Sequence, residues 1–208
     1  MFTGIIQSIA AVKKAEQRNS SLILTIATPR GWKLKSGDSI ATDGACLTVT
    51  KIGRGWYQTE LMAETLKRTT FGRQIPGKVN LERPLRPRDF IDGHIVQGHV
   101  DTIGTIVKFS IFNFSRRERD PDSPSGQFSI SSVCTIRFPK KFSKLIVEKG
   151  SITIDGTSLT VVDVGRDWFS VALIPFTLKE TTIGLKKQGE IVNLEFDVVG
   201  KYVQRLLA

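Results

Sequence analysis

The sequence of 208 residues is poor in the side chains that build metal sites and disulfide frameworks. It has two cysteines, Cys46 and Cys134, and two histidines, His94 and His99. The cysteines form no CxxC pair, which favours free thiols in a reducing compartment over a disulfide framework or a zinc site. Because the histidines lie five residues apart, a continuous strand would place them on opposite faces. No metal ion is therefore expected.

Several motifs and segment types are also missing. No GxxxxGK[ST] loop, GxGxxG, HExxH or GxSxG motif occurs, which argues against nucleotide hydrolysis, dinucleotide redox chemistry and zinc proteolysis. The first residues, MFTGIIQSIAAVKK, contain no basic leader and no long apolar run. A signal peptide or a membrane span is therefore not expected. We expect a cytoplasmic protein that does not bind membranes.

The charge is strongly positive, with a formal net charge of +10, so nucleic acid has to be considered as a partner. The basic residues are scattered, however, and no aromatic RNP-like strand, basic helix or zinc-finger spacing accompanies them. We interpret them as a solvated basic surface and expect no nucleic-acid partner. The alternative, a tandem-barrel nucleic-acid binder, predicts an affinity that falls steeply with salt.

The chain repeats itself. DGACLTV at 43–49 returns as DGTSLTV at 155–161, which is 112 residues later. Further matching pairs are ETLKRTTFG and FTLKETTIG at 64–72 and 176–184, VNLE at 79–82 and 192–195, and TGIIQSIA and QGHVDTIG at 3–10 and 97–104. Two copies of about 100 residues indicate duplicated domains and not a solenoid.

Both copies consist of short segments rich in valine, isoleucine, threonine and aromatic residues, separated by glycine and aspartate turns. They predict a mainly all-β fold of two tandem duplicated antiparallel Greek-key β-barrels plus a short C-terminal helix. We place the units at residues 1–96, 97–197 and 198–208. Residues 109–129 are expected to form an exposed, partly mobile loop, and short helices are expected at 139–148 and 64–70.

The tail, DVVGKYVQRLLA, carries apolar residues at helical spacing. A helix of about ten residues is marginal alone, so its apolar stripe has to be covered. Both the chain's own barrel and copies of the chain in an oligomer remain open as the covering surface.

Small polar residues follow both Asp-Gly pairs. Strand alternation places Cys46 and Thr48 on one face of the first copy, and Ser158 and Thr160 on the matching face of the second. A duplicated hairpin turn, kept for its backbone geometry, is the alternative explanation. His99 lies nearby in sequence, and a neutral imidazole can relay a proton near neutral pH.

The motifs DSIATDGACLTV, AETLKRTTFG, DGHIVQGHVD, KGSITIDGTSLTV and VNLEFDVVGKYVQRLL, together with MFTGII and VNLERPL, occur in order along the whole chain. In these motifs the sequence resembles the riboflavin synthase alpha chain family. The resemblance implies a transferase of riboflavin biosynthesis that takes two molecules of 6,7-dimethyl-8-ribityllumazine. It moves a four-carbon unit from one to the other and gives riboflavin and 5-amino-6-(D-ribitylamino)uracil, without an external cofactor.

The resemblance also implies the site residues. One pocket, in the first barrel, would comprise Gly4, Ile5, Ile6, Cys46, Leu47, Thr48, Glu60, Leu61, Met62, Ala63, Glu64 and Thr65, completed by Gly98, His99 and Val100. The second would comprise Lys149, Ser158, Leu159, Thr160, Ile174, Pro175, Phe176, Thr177, Leu178 and Lys179. We expect His99 to assist proton transfer, and Cys46, Ser158 and Thr160 to stabilise the ring or add to it.

In this family the working site lies between the first barrel of one subunit and the second barrel of a neighbour in a trimer. The resemblance therefore implies a homotrimer held partly by the tail helix, and leaves open an association with lumazine synthase. A non-catalytic lumazine- or flavin-binding relative is the alternative. Two positions depart from the family pattern, since Asp43 stands where asparagine is more frequent and Phe176 where a polar residue is common.

Overall fold

The computed structural model describes residues 1–114 and 129–207. The first barrel is closed and antiparallel, with the strands in the order β1-β2-β5-β4-β3-β6. Its strands are β1 Ser8–Arg18, β2 Ser21–Ala27, β3 Ser39–Thr42, β4 Ala45–Gly53, β5 Trp56–Leu61 and β6 Lys78–Glu82. Closure leaves no free sheet edge, which removes the aggregation hazard of an open β-sheet.

The second barrel repeats this topology in the order β10-β11-β8-β7-β12-β9. Its strands are β7 Thr102–Phe114, β8 Ser129–Arg137, β9 Ser151–Ile154, β10 Thr157–Val164, β11 Trp168–Leu173 and β12 Ile191–Phe196. If β7 to β12 are matched one to one with β1 to β6, the circular order is identical. The predicted fold of two tandem β-barrels is confirmed, and the exact domain boundaries remain predictions.

Each barrel encloses its own apolar core. In the first, Leu24, Ile26 and Tyr57 are fully buried, and in the second Ile136 and Phe169 are. Alternate residues of each strand supply these side chains, as the pleat requires. Burial of this apolar surface is the main favourable contribution to folding.

The helices are short. They are α1 Ala63–Arg68, α2 Pro175–Glu180 and α3 Val198–Leu206. The predicted helix at 64–70 is therefore found, as α1 followed by a 3-10 turn at Thr70–Gly72. The predicted helix at 139–148 is instead a 3-10 helix, Lys140–Leu145. Its β-branched continuation Ile146-Val147 disfavours further helical turns.

The loop predicted at 109–129 is only partly correct. Residues 109–114 belong to β7, and residue 129 begins β8. The two strands pair antiparallel up to the partners Phe114 and Ser129. The aromatic and β-branched residues of FSIFNF favour a strand, which explains the longer hairpin. Residues 115–128 lie outside the described part of the chain.

The tail forms the predicted helix α3. Asp197 caps it, because its side chain accepts a hydrogen bond of 2.9 Å from the backbone N–H of Val199. Lys201 forms a 2.7 Å ion pair with Asp101 at the start of the second barrel. One apolar face remains uncovered, since Val199, Tyr202, Val203, Leu206 and Leu207 are all exposed.

The two Asp-Gly pairs are the turns of matching β-hairpins. Asp43 and Gly44 have φ values of 42° and 80°, and Asp155 and Gly156 have 46° and 79°. Positive φ at both central residues is the type I′ geometry that suits a two-residue hairpin. The turns contact each other, since a Cβ added at Gly44 would lie 2.7 Å from the backbone N of Gly156.

Two buried asparagines join the barrels around these turns. The Nδ2 of Asn80, in the first barrel, donates to the carbonyl of Asp155 at 2.9 Å. The Nδ2 of Asn193, in the second, donates to the carbonyl of Asp43 at 2.8 Å. The amide oxygens accept from the backbone N–H groups of Thr182 and Thr70, respectively, again across the barrels. The asparagines are thus hydrogen-bonded through both ends of their amides, as buried polar groups should be.

One ammonium group serves two buried carboxyl groups in this contact. Nζ of Lys186 lies 3.2 Å from Oδ2 of Asp155, and its pKa is raised because Asp155 and Asp43 outweigh the opposing effect of burial. Burial, and then the nearby Asp155, raise the pKa of Asp43 well above its ordinary value. Burial also raises the pKa of Asp155, and Lys186 opposes that rise. We assign the charged carboxylate to Asp155 and the neutral carboxyl to Asp43.

The neutral state of Asp43 predicts a stability that depends on pH. A raised pKa contributes stability that is fully present below the ordinary value of 3.8 and is lost as pH rises through the folded-state pKa. Asp43→Asn keeps the shape and has no proton to lose. At about pH 9 we therefore expect the variant to be more stable than wild type by about 1 kcal/mol, or about 2–4 °C in Tm.

Thermal unfolding of both proteins from about pH 4, near the ordinary value, to about pH 9 measures this difference. Asp155→Asn is the matched control, because it leaves Lys186 without its partner and should lower the Tm wherever the carboxylate is charged. A loss of stability with rising pH that is equal in wild type and Asp43→Asn would contradict the assignment.

Candidate active site

The strands β4 and β10 present small polar side chains on matching faces. Cys46 and Thr48 are exposed, whereas Leu47 between them is buried in the first core. In β10, Ser158 is half-buried and Thr160 is exposed, and Leu159 packs against the second core. The predicted alternation is confirmed. We call each of these rows of small polar side chains a polar edge: Cys46 with Thr48 on the first barrel, and Ser158 with Thr160 on the second.

Each polar edge is completed by a segment that belongs to the other half of the sequence. The backbone N–H of Ser158 donates to the carbonyl of Gly4 at 2.8 Å, and that of Cys46 donates to the carbonyl of Gly98 at 2.8 Å. The grouping of Gly4 with the Cys46 strand is therefore wrong, because Gly4 lies at the second barrel. Gly98 lies beside Cys46, as expected.

Both contacts require glycine. Gly4 and Gly98 have φ values of +79° and +78°, and a Cβ on either would lie 2.6 Å from the Cβ of Ser158 or Cys46, respectively. A side chain at either position would meet this contact and the unfavourable left-handed backbone conformation at once. Each segment therefore lies too close to its strand to accommodate a Cβ without a shift.

His94 is the histidine that contacts a predicted site residue. Its Nδ1 lies 2.8 Å from Oγ of Ser158, and its backbone N–H donates to the carbonyl of Thr3 at 3.2 Å. Burial lowers the pKa of His94, so the neutral imidazole is favoured. His99, the histidine predicted from the sequence to assist proton transfer, is exposed. Sequence spacing alone could not identify His94. It reaches Ser158 because residues 3–4, to which it is bonded, cross to the second barrel.

The remaining predicted residues lie at the strand ends and the short helices that follow them. Glu60, Leu61, Met62, Ala63, Glu64 and Thr65 run from the end of β5 into α1, and Ile174, Pro175, Phe176, Thr177, Leu178 and Lys179 run from beyond β11 into α2. Glu60 accepts a hydrogen bond from the Ser21 hydroxyl at 2.5 Å. The Glu64 carboxylate pairs with Arg68, and this hydrogen bond lowers its pKa.

The two halves differ in charge along these segments. Glu64 in α1 corresponds by the repeat to Phe176 in α2, and Phe176 is 70% exposed. Lys149, with φ 63°, corresponds to Gly37, with φ 90°. Ile5 is exposed, Ile6 is half-buried and Val100 is buried. By the repeat, the first half therefore carries a carboxylate where the second carries the ring of Phe176, and a glycine where the second carries the ammonium group of Lys149.

Within residues 1–114 and 129–207, no three histidine, cysteine, aspartate or glutamate side chains are grouped so that they could hold a metal ion. Across the same residues, no helix has the length and apolar character needed to span a membrane.

Comparison with known proteins identifies the fold and the family. The family model described as the lumazine binding domain matches twice, at residues 3–84 and 97–197. The riboflavin synthase of Actinobacillus pleuropneumoniae is 41% identical over 209 residues, which covers 100% of this chain and 90% of that protein. The chain belongs to the riboflavin synthase family.

Other members of the riboflavin synthase family match equally well. The riboflavin synthase of Mycobacterium tuberculosis (strain ATCC 25618 / H37Rv) is 43% identical over 213 residues, covering 100% of this chain and 98% of that protein. The crystal structure of LumP complexed with riboflavin has a TM-score of 0.77 at 23% identity, over 94% of this chain and 99% of LumP. The latter likeness concerns the fold. The predicted family and its transferase activity are confirmed, and they are favoured over the non-catalytic binding protein.

The glycine contacts yield a prediction with an internal control. Gly98→Ala should destabilise the protein by about 1–3 kcal/mol more than Gly55→Ala, because its methyl group overpacks the contact with Cys46. Gly55 has a similar φ of +75° but has no atom within 4 Å of an added Cβ. Urea denaturation of both variants measures the difference, and equal midpoints would show that the contact with Cys46 is not tight.

Proposed function

We propose that this protein binds two lumazine molecules at the two polar edges, one beside Cys46 and one beside Ser158. The observation that carries this proposal is the equivalence of the edges, since each has a Gly carbonyl bonded to the backbone of its central residue at 2.8 Å. A reaction between two identical molecules needs two similar binding sites. Holding both in register supplies up to about 7–11 kcal/mol of the barrier in favourable cases.

In the proposed chemistry, the site beside Ser158 differs from the one beside Cys46 through His94. A neutral imidazole 2.8 Å from a hydroxyl can accept its proton and so promote addition of Ser158, or of a water it orients, to a lumazine ring. Cys46 and Thr160 would stabilise the rings, and His99 would assist removal of the proton from the 7-methyl group. Ring edges would contact the backbone of β4 and β10, and Glu64 would hold a ribityl chain.

We further propose a homotrimer in which the first barrel of one subunit faces the second barrel of the next. The support is the apolar face of α3, where Tyr202 is 68% and Leu206 85% exposed. Contiguous exposed apolar side chains indicate an interaction surface. Copies of α3 from other subunits are suitable partners, because the apolar face is small and the barrels of the same chain leave it exposed.

A cytoplasmic location agrees with the free thiols Cys46 and Cys134, which suit a reducing compartment. An association with lumazine synthase would place substrate formation beside its use. Substrate retention in mixtures of the two purified proteins, compared with this protein alone, tests that association.

The deciding experiment incubates the purified protein with 6,7-dimethyl-8-ribityllumazine in buffer alone. We expect riboflavin and 5-amino-6-(D-ribitylamino)uracil in equal amounts, one of each for two substrate molecules consumed, followed by chromatography and absorbance. A protein that forms a stable fluorescent lumazine complex without any riboflavin would refute catalysis and support the binding-protein alternative.

The two histidines can be separated by single-turnover kinetics. His94→Gln should slow the reaction by about 10²-fold or more, the usual effect of losing a general base, and His99→Gln should also slow it. Because the pKa of His94 is lowered, its neutral form persists below the ordinary histidine range, and the wild-type rate should fall only at more acidic pH. The His94→Gln profile should lack this acidic fall, and an unchanged rate in His99→Gln would remove His99 from the mechanism.

The helix α3 can be tested by charge substitution. Tyr202→Lys combined with Leu206→Lys should dissociate the trimer to monomers and reduce activity, while the barrels stay folded, because neither side chain contributes to a barrel core. Light scattering after gel filtration gives the mass, and Arg205→Ala on the same helix is the control. A wild-type protein that is already monomeric and fully active would contradict the shared site.

A further inference from the structure

We propose that Glu82 and Glu195 are positioning residues for the reaction, and that each positions the site on the opposite barrel. Glu82 in the first barrel sets the edge beside Ser158, and Glu195 in the second sets the edge beside Cys46. This inference rests on the proposed function for the identity of the two edges, although the geometry stands without it.

Glu82 ends β6 and is 2% exposed. Its Oε1 accepts hydrogen bonds of 2.7 Å from both the backbone N–H and the hydroxyl of Thr3, and its Oε2 accepts one of 3.0 Å from the N–H of Gly4. The peptide between Thr3 and Gly4 is held in this way, and the adjoining carbonyl, that of Gly4, accepts from the N–H of Ser158 in the other barrel at 2.8 Å.

Glu195 repeats the arrangement in β12 and is also 2% exposed. Its Oε1 accepts from the N–H of Gln97 at 2.8 Å and its Oε2 from the N–H of Gly98 at 2.9 Å. The carbonyl of Gly98 accepts from the N–H of Cys46 at 2.8 Å. Both glutamates are the last residue of a VNLE motif, so the duplicated sequence encodes a duplicated carboxylate clamp.

A carboxylate that accepts from two consecutive N–H groups fixes the plane of the peptide between them, and such charge-assisted bonds are roughly twice as strong as neutral ones. The two clamped segments also pair with each other, because Phe2 and Val96 exchange backbone hydrogen bonds of 2.7 and 3.1 Å. Each segment is therefore held by the glutamate of one barrel and by the equivalent segment, and it contacts the other barrel.

The clamp acts on the reacting side chains through the glycine contacts. An added Cβ at Gly4 or Gly98 would lie 2.6 Å from Ser158 or Cys46, so no slack separates the clamped segment from the edge. Thr3, held by Glu82, also accepts the backbone N–H of His94 at 3.2 Å. Loss of the Glu82 clamp should therefore disturb the bond between His94 and Ser158, and leave Cys46 undisturbed.

The chain contains a reporter for each edge. Cys46 is exposed, whereas Cys134 is buried and its pKa is raised to about 12 by burial, so iodoacetamide should label Cys46 selectively. His94 reports on the other edge through the pH at which its ring titrates, followed by NMR. The His94→Gln variant assigns its signals among the two histidines.

The test compares Glu82→Gln with Glu195→Gln, which keep the shape and remove the charge. We expect Glu195→Gln to change the Cys46 labelling rate by about threefold or more and to leave the His94 midpoint unchanged. Glu82→Gln should shift the His94 midpoint and leave the Cys46 labelling rate unchanged. Because both edges are needed, both variants should lower kcat by about tenfold or more with a smaller change in KM, as expected for misplaced reacting groups.

The proposal is overturned if each variant alters the reporter on its own barrel, if both alter both reporters equally, or if neither reporter moves. Should a Gln variant fail to fold, Thr3→Val removes a single hydroxyl bond to Glu82 and should shift the His94 midpoint without altering Cys46 labelling. The proposed function has a separate readout. Failure of the lumazine to protect wild-type Cys46 from iodoacetamide would contradict that function, whatever the pattern in the glutamate variants.

Discussion

The reciprocal contact between two hairpin turns determines the arrangement of this molecule. Asn80 and Asn193 reach across it, and each amide bonds the opposite barrel through both its nitrogen and its oxygen. A buried amide that loses its partner costs about 1–3 kcal/mol, so a sliding movement of one barrel on the other would break several such bonds together. The barrels therefore behave as one body, and the polar edges of β4 and β10 keep a fixed relation.

The symmetry is imperfect at a few positions that matter for chemistry. Lys186 approaches Asp155, but the repeat places Gln74 at the matching position of the first half, so one carboxyl remains neutral. Likewise, His94 bonds to Ser158 of the second barrel, and the first barrel has Cys46 in place of that serine. Under the proposed function, two molecules of one substrate would thus meet unlike surroundings, which a reaction with a donor and an acceptor requires.

Much of the fold could be predicted from the sequence, because the signals are local. The strands follow from residue type and alternation, the Asp-Gly turns from their backbone preference, and the duplication from repeated letters. The crossing of residues 3–4 and 97–98 to opposite barrels could not, because a repeat reveals which residues are equivalent and not which ones touch. His94 was overlooked for the same reason. The sequence predicts a loop at 109–114 because the proline, serine, arginine and aspartate residues that follow outweigh the strand-forming residues of this segment.

The clamps formed by Glu82 and Glu195 have a consequence for how the sequence can change over time. By the proposed clamps, a substitution of the glutamate in one VNLE motif disturbs the polar edge on the other barrel. Neither copy of the motif can therefore change while the other alone keeps the original role. Both halves therefore keep this glutamate, whereas the residues that the clamped segments contact, Cys46 and Ser158, differ between the halves.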